Sequence, residues 1–193
     1  MADETDDDRA AVMTSAMLKA MSHPLRRGIL KVLASRDFAR AADIAAVLEA
    51  PANSVSFHLR VLADAGLIVE APEKARDRRD RVWTAVPGVL NLGTPEHPVE
   101  DEALGGALLG ALAQEHTEVL RRVIAWAPEY TSARTTEVHG TFLRSTLRLT
   151  EEEFESLMTA ISQAIDDARD AHDPTAAGIR AWDLDIVAAD DMI

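Results

Sequence analysis

The segment from Asn53 to Leu67, NSVSFHLRVLADAGL, contains side chains that could recognise another molecule. On a helix its apolar residues recur at i, i+4 and i+7, and a second face carries Asn53, Ser56, Phe57 and Arg60. Short polar groups, Arg and apolar contacts are the means by which proteins read base edges in the DNA major groove. The alternative interpretation is that this face contacts only solvent. Solvated helix faces mostly carry Glu and Lys, however, and this segment has neither.

Side chains suited to catalysis or metal binding are scarce in this sequence. It has no Cys, which excludes disulfides, thiolate metal sites and Cys nucleophiles. It also has no Gly-rich phosphate loop, no G-x-S-x-G motif and no H-x-x-x-H pair. A histidine–carboxylate metal site between subunits stays open as an alternative. We therefore expect no enzymatic activity, no cofactor and no bound metal.

Helices must position the recognition face, and the sequence predicts four of them in the first half. An Ala-rich helix is expected up to Met21, and a second begins at Pro24, with Ser22 or His23 as its cap. The segment ARAADIAAVLEA predicts a short third helix with Ile44, Val47 and Leu48 facing inward. The fourth helix covers residues 52–65, and Gly66 is suited to a left-handed C-terminal cap. Joined through EAP, the third and fourth helices form a helix-turn-helix.

A β-hairpin is predicted directly after the fourth helix. The apolar period changes from 3.6 to 2 in LIVEA (residues 67–71) and RVWTAV (residues 81–86), which predicts two strands. The loop between them contains four basic residues, Lys74, Arg76, Arg78 and Arg79. A hairpin with a basic tip that follows a helix-turn-helix is a wing.

The combination of H-P-L-R-R-G-I-L, S-F-H-L-R-V-L-A-D-A-G-L-I and an Arg-rich hairpin resembles the ArsR-type winged helix-turn-helix of bacterial transcription regulators. The resemblance covers about residues 16–86. It implies a dimer that places the fourth helix in the major groove and the wing against the flanking backbone. Many members release DNA when a metal binds, and their thiolate motif would fall on the third helix. That helix has no Cys here, so the resemblance implies DNA binding without this kind of metal sensing.

Charge is distributed unevenly along the chain. The protein has a net charge of −13, yet residues 9–90 hold 13 Lys and Arg against 8 Asp and Glu, a net of +5. Residues 91–193 have a net charge of −13, and the first eight residues contribute −5. A basic segment between acidic ones indicates a negatively charged partner that binds to the basic segment alone.

These observations together predict double-stranded DNA as the partner. The residues expected to contact it are Asn53, Ser54, Ser56, Phe57 and Arg60 on the fourth helix and Lys74, Arg76, Arg78, Arg79 and Arg81 on the wing. His58 lies off this face, and we expect it to pack or hydrogen-bond against a neighbouring helix. The wing arginines have a second interpretation as a soluble hairpin tip, which Asp77 and Asp80 would favour.

The second half predicts a small α+β unit. A long helix from Glu102 to Ala127, which contains Gly105, Gly106 and Gly110, precedes a strand at residues 136–150. A helix capped by Thr150 and Glu153 follows, and a last strand is expected at residues 180–189. An apolar pocket for an unknown small-molecule effector in this unit stays open.

The sequence thus predicts a mainly α fold with small β, in which a winged helix-turn-helix precedes a C-terminal α+β or helical unit for dimerisation or sensing. The expected domains are a disordered acidic N-terminus (residues 1–10), the winged helix (11–87), a linker (88–102) and the C-terminal domain (103–193). The expected function is a cytoplasmic, homodimeric repressor of transcription, with no membrane segment. The alternative function is a winged helix that binds proteins instead of DNA. Candidate dimer surfaces are the first helix, with Val12, Ala16 and Leu18, and the helix from Leu104 to Trp126.

Overall fold

The computed structural model of the protein describes residues 11–75, 81–86, 90–173 and 176–192. The chain divides into two compact units, an N-terminal unit (Met1–Thr117) and a C-terminal unit (Glu118–Ile193). The helices are α1 (Ser15–Met21), α2 (Pro24–Arg36), α3 (Ala41–Val47), α4 (Ala52–Asp64), α5 (Glu102–Thr131) and α6 (Glu151–Asp170). The strands are β1 (Ala11–Val12), β2 (Ala39–Arg40), β3 (Ile68–Glu70), β4 (Val82–Ala85) and β5 (Leu90–Asn91).

The helix boundaries in the N-terminal unit follow from local chemistry. His23 caps α2, because its Nδ1 accepts a hydrogen bond from the Leu25 N–H at 3.1 Å, and Pro24 occupies the first helical position. Glu49 adopts φ +50° in the turn between α3 and α4, where a glycine is more usual. Gly66 ends α4 at φ +74°, which confirms the predicted left-handed cap.

A three-stranded antiparallel sheet closes this unit in the order β2–β4–β3. Val69 pairs with Thr84 and Glu70 with Trp83, which confirms the two predicted hairpin strands. The third strand, β2, pairs Ala39 with Trp83 and was not predicted. A two-residue strand carries too little periodicity to be recognised in a sequence.

The hydrophobic core of the N-terminal unit lies between α2, α3, α4 and the sheet. Its most deeply buried side chains come from all of these elements: Ile29, Leu33, Ile44, Val55, Leu59, Leu62 and Ile68. The prediction that Val47 faces inward is wrong, because its side chain is exposed whereas Ile44 and Leu48 pack against the core. The core therefore fixes the orientation of α4, the helix that carries the candidate recognition face.

A smaller apolar cluster joins α1 to the start of α5. Leu18 and Leu108 are buried there together with Met13, and β1 pairs in parallel with β5 nearby. Leu18 was predicted to offer a dimer surface, which is wrong because it is buried within one chain. Gly105 also has a packing role, since a Cβ at this position would lie 3.0 Å from Cγ1 of Val99.

The C-terminal unit differs from the prediction in its strands. Thr150 and Glu153 form the predicted capping box at the start of α6. The strands predicted at residues 136–150 and 180–189 are wrong, because the structure assigns neither range to a strand. Their alternating sequences satisfy the period of a strand, but ladder hydrogen bonds also need a partner strand. The described part of this unit therefore consists of helices and irregular segments.

The predicted fold class is confirmed as mainly α with a small sheet and a helix-turn-helix in the N-terminal unit. The acidic N-terminus, residues 1–10, lies outside the described residues, as do residues 76–80 of the wing and residues 87–89. In the described ranges, no helix has the length and apolarity that crossing a membrane requires.

Candidate nucleic-acid interface

The fourth helix is amphipathic, and its two faces have different surroundings. Val55, Leu59 and Leu62 are buried against the core. Pro51 precedes the helix in an extended conformation, and the Pro51 carbonyl accepts the first helical hydrogen bond from the Val55 N–H at 3.0 Å. Because the apolar face is held on several sides, the opposite face is fixed in orientation and accessible to another molecule.

The residues predicted to read bases lie on that opposite face. Asn53, Phe57 and Arg60 are exposed, and Ser54 and Ser56 are half-buried. Phe57 is notable because 55% of a large apolar side chain is accessible on a helix whose inner face is fully packed. Exposure of so much apolar surface to water is unfavourable, and contact with a partner would bury it.

Local hydrogen bonds occupy part of this polar surface. The Asn53 Oδ1 accepts a hydrogen bond from the Ser54 N–H at 2.9 Å, and the Ser56 hydroxyl donates to the Ala52 carbonyl at 2.8 Å. The Arg60 Nε donates to the Ser56 carbonyl at 3.3 Å. Within the part of the chain that the structure describes, Arg60 forms no ion pair with a carboxylate, so its charge is available to a ligand.

His58 supports α4 from behind the recognition face, which confirms that it packs against a neighbouring helix. Its ring is buried, 4.5 Å from the His23 ring, and its Nδ1 lies 3.4 Å from Nη1 of Arg26. The pKa of His58 is lowered, first by burial and then by the charges of His23 and Arg26.

Arg26 connects this cluster to the first helix. It donates from Nη2 to the Lys19 carbonyl at 2.6 Å and from Nε to the Ala20 carbonyl. These carbonyls lie at the C-terminal end of α1, where a cation is favourable. His23, Arg26 and His58 therefore tie α1, α2 and α4 together, and the sequence pattern gave no direct signal of this network.

The wing is described only in part. Arg76, Arg78 and Arg79 lie outside the described residues, so their predicted contacts stay a prediction. Lys74 ends a short 3-10 helix (Pro72–Lys74), and its Nζ lies 5.7 Å from the centre of the Phe38 ring. Phe38 is exposed next to this lysine and was not recognised as part of the surface from the sequence.

Arg81, at the base of the wing, has an acidic partner. Its guanidinium pairs with the Glu70 carboxylate, with an Nε to Oε1 distance of 3.1 Å, and lies 4.8 Å from the centre of the Trp83 ring. Hydrogen bonds from Arg81 hold the pKa of Glu70 below its usual range. Arg81 therefore braces the hairpin, and it has less positive charge to offer a phosphate than an unpaired arginine has.

The remaining histidines, His97, His116, His139 and His172, were the other candidate metal ligands in the sequence. Across the described ranges, no three His, Asp or Glu side chains come together in a group that could hold a metal ion.

Comparison with known proteins identifies the same region. Residues 21–71, about a quarter of the chain, match a family model described as "Helix-turn-helix domain". This match is consistent with the ArsR-type resemblance, and it supports a DNA-binding regulator. No curated protein sequence matches the chain.

Two solved structures are similar to the chain at a low level. The crystal structure of a "possible transcriptional regulator for arsenical resistance" is 25% identical over 64% of this chain and 100% of its own, with a TM-score of 0.32. A mutant of Lactococcus lactis ZitR in apo form is 18% identical over 78% of this chain and 83% of its own, also with a TM-score of 0.32.

Proposed function

We propose that the protein is a sequence-specific DNA-binding regulator of transcription that reads the major groove with α4. The observation that supports this most strongly is the outward face of α4, where Asn53, Phe57 and Arg60 are exposed on a helix whose other face is buried in the core. The helix-turn-helix match over residues 21–71 supports the same role.

Each side chain on this face suits a different contact. The Arg60 guanidinium can donate two parallel hydrogen bonds to O6 and N7 of a guanine. Phe57 can pack against a thymine methyl group, and the Asn53 amide can bind an adenine edge or a phosphate. Ser54 lies in the first turn of α4, where backbone N–H groups and the helix dipole favour a phosphate oxygen.

The wing supplies contacts to the flanking backbone in this proposal. Lys74 and the arginines at positions 76, 78 and 79 neutralise phosphates, which adds affinity without sequence preference. We assign Arg81 a bracing role with a weak phosphate contact, because Glu70 already pairs with it.

We propose that the working form is a homodimer, because one helix in one groove contacts too few base pairs to select a site. Leu109 and Leu112 on α5 are exposed and extend the apolar cluster around Leu108. We therefore favour α5 over α1 as the dimer surface. Occupying a promoter is sufficient to block transcription, so we favour a repressor acting in the cytoplasm. The chemistry of a small-molecule effector is left open.

Binding of the full chain to DNA, followed by fluorescence anisotropy, tests this proposal. One duplex is taken from the region upstream of the protein's own gene, and a scrambled duplex of equal composition is the control. We expect the native duplex to bind roughly 10³-fold more tightly or better, with affinity that falls as salt rises. Equal affinity for both duplexes, or no binding at low salt, would favour the protein-interaction module instead.

A further inference from the structure

Two histidines and an arginine meet where α1, α2 and α4 pack together. The ring centroids of His23 and His58 are 4.5 Å apart, and Nη1 of Arg26 lies 3.4 Å from Nδ1 of His58. Among the described residues, no Asp or Glu forms an ion pair with any of the three, and Asp43 of α3 pairs with Arg40 instead. A permanent positive charge therefore lies next to two rings that become positive when they take up a proton.

Both histidines are placed as hydrogen-bond acceptors. Nδ1 of His23 accepts from the Leu25 N–H at 3.1 Å and so caps α2. A guanidinium group can only donate, so Nδ1 of His58 is the acceptor in the contact with Arg26. A protonated imidazole carries N–H groups at both ring nitrogens and accepts no hydrogen bond. Protonation of either ring would therefore break a contact that holds α2 or α4 in place.

The groups that face His58 offer nothing to compensate a positive charge on its ring. From α2 these groups are His23 and Arg26, and α1 contributes the carbonyl oxygens of Lys19 and Ala20, which Arg26 already binds. Burial of the ring, followed by the charges of His23 and Arg26, lowers the pKa of His58. The packed arrangement thus contains a neutral His58, and proton uptake favours arrangements in which these groups have separated.

The cluster is directly connected to the candidate recognition face. His58 follows Phe57 in α4, and the two rings are 5.3 Å apart in an edge-to-face arrangement. More than half of the Phe57 side chain is exposed, whereas His58 is buried beside α2. Because a helix moves as a unit, loss of the contacts between His58 and α2 changes the position of Phe57, and also that of Arg60 in the next turn.

We propose that protonation of the cluster formed by His23, Arg26 and His58 weakens the binding of α4 to its specific DNA, so that the proton acts as a negative effector. The inference rests on the proposed function and adds a means of regulation to the same site. The expected direction is opposite to the general effect of acidification, which makes an acidic chain less negative and so favours binding to a polyanion. The sign of the pH dependence therefore distinguishes the two effects.

Anisotropy titrations of the full chain on the specific duplex at pH 7.5 and pH 5.5, at constant ionic strength, measure the effect. We expect the affinity of the native chain to fall by roughly three- to tenfold, since a tenfold difference in proton affinity between two states of a group changes their ratio by up to tenfold. Affinity for the scrambled duplex should stay constant or rise, because phosphate contacts dominate there.

Two substitutions replace a ring of the cluster by an uncharged hydrogen-bond acceptor that takes up no proton in this range, His58→Gln and His23→Asn. Each chain is compared with itself at the two pH values, so a change in affinity at pH 7.5 does not affect the result. The chain with both substitutions should lose less than about twofold, and His23→Asn alone should give an intermediate ratio. The matched control, His97→Gln, removes an exposed histidine before α5 and should behave as the native chain does.

Far-UV circular dichroism of the native chain shows whether it stays folded at pH 5.5, as we expect. Loss of DNA affinity together with loss of the helical signal would overturn the inference, because the chain would then unfold instead of changing the position of α4. An equal pH dependence in the native chain and the doubly substituted chain would also contradict it.

NMR titration of the chain without DNA provides a readout that does not depend on the proposed function. The signals of Phe57 and Arg60 should shift with the same midpoint as the ring protons of His58. Signals that stay unchanged while His58 titrates would show that the cluster does not control the recognition face. Failure of the proposed function appears separately, as equal affinity for the specific and scrambled duplexes at pH 7.5.

Discussion

Arg60 is the residue on α4 whose chemistry is most specific to base recognition. It is exposed, it pairs with no carboxylate within the described residues, and its Nε lies 3.3 Å from the Ser56 carbonyl, one turn earlier in the helix. That hydrogen bond orients the guanidinium on the face that also carries Asn53 and Phe57. A preoriented arginine loses less side-chain entropy when it binds a guanine than a freely rotating one would.

We therefore expect Arg60→Ala to cost about 1–3 kcal/mol of binding to the specific duplex and less on random DNA. Anisotropy titrations on both duplexes provide the measurement. Arg121→Ala removes the same charge from α5, outside the helix-turn-helix, and serves as the matched control. Equal losses on specific and random DNA would mean that Arg60 binds a phosphate instead of a base.

His58 contributes to the position of α4, because its buried ring packs against His23 and Arg26. Burial lowers its pKa, with further lowering from His23 and Arg26, so the neutral ring is favoured in the folded state. The pKa of the unfolded state lies near the ordinary value of 6.5. Below that value the unfolded chain takes up a proton more readily than the folded chain, and protonation then favours unfolding.

The free energy of unfolding should consequently be unaffected by His58 above about pH 6.5 and should fall as the pH drops below it. The decrease should level off once the pH has passed below the folded-state pKa. Urea unfolding of the native chain and of a His58→Gln variant between pH 7.5 and 5 measures this. The variant should lose less stability on acidification than the native chain, and parallel curves would assign the pH dependence to other groups.

At the scale of elements, the arginines of the hairpin lie at two places along the chain. Arg81 is paired with Glu70 at the base, whereas Arg76, Arg78 and Arg79 follow the short helix that ends at Lys74. An arginine already paired with a carboxylate releases fewer counterions when it meets a phosphate. The base and the tip of the hairpin should therefore differ in their effect on the salt dependence of binding.

Replacing Arg76, Arg78 and Arg79 together by Ala should reduce the slope of log K against log salt by about 0.9 for each phosphate that the wing no longer neutralises. Arg81→Ala should change that slope by less and should lower stability, because Trp83 and Glu70 lose their partner. Titrations on random DNA at four salt concentrations measure both slopes. An unchanged slope in the triple variant would leave the tip facing solvent in the complex.

Two neighbouring glycines in the first turns of α5, Gly105 and Gly106, have different surroundings, so the same substitution should affect stability differently at each. Gly106 has open space, so Gly106→Ala should stabilise the chain by roughly 0.5–1 kcal/mol through helix propensity. At Gly105 a Cβ would meet Val99 at 3.0 Å, and Gly105→Ala should be about 1–3 kcal/mol less favourable than its neighbour. Urea unfolding compares the two variants, and equal stabilities would show that Val99 does not restrict the side chain at position 105.

How far the sequence predicts this molecule depends on whether the signal is local. The cap at His23, the left-handed Gly66 and the capping box of Thr150 all follow from residues within one turn. The recognition face of α4 follows from helical periodicity, which is also local. The pairing of Arg81 with Glu70 joins two strands, and the His58 cluster joins three helices, so neither could be derived from spacing alone.

The strands predicted in the C-terminal unit show that a correct local pattern is not sufficient to predict a strand. Their alternation is a property of the sequence, but a strand exists only when another strand supplies its hydrogen bonds.

At the scale of the whole molecule, an acidic protein must still approach a polyanion. The first eight residues and the residues beyond 90 together carry a charge of −18, whereas residues 9–90 carry +5, which leaves the net charge of −13. Phosphates attract the basic part of the chain and repel its acidic parts, and salt screens both interactions over about 8 Å at physiological ionic strength. Weak binding to random DNA combined with strong binding to one site is therefore expected of this charge distribution.

Selection of bound sequences by the full chain from a pool of random DNA duplexes, read by sequencing, tests directly whether α4 reads DNA. We expect enrichment of a two-fold symmetric motif whose half-sites lie ~34–36 Å apart. We also expect the Arg60→Ala chain to lose preference at one position in each half-site and to keep the spacing. A pool that stays unenriched at both low and physiological salt would contradict the claim that α4 reads DNA.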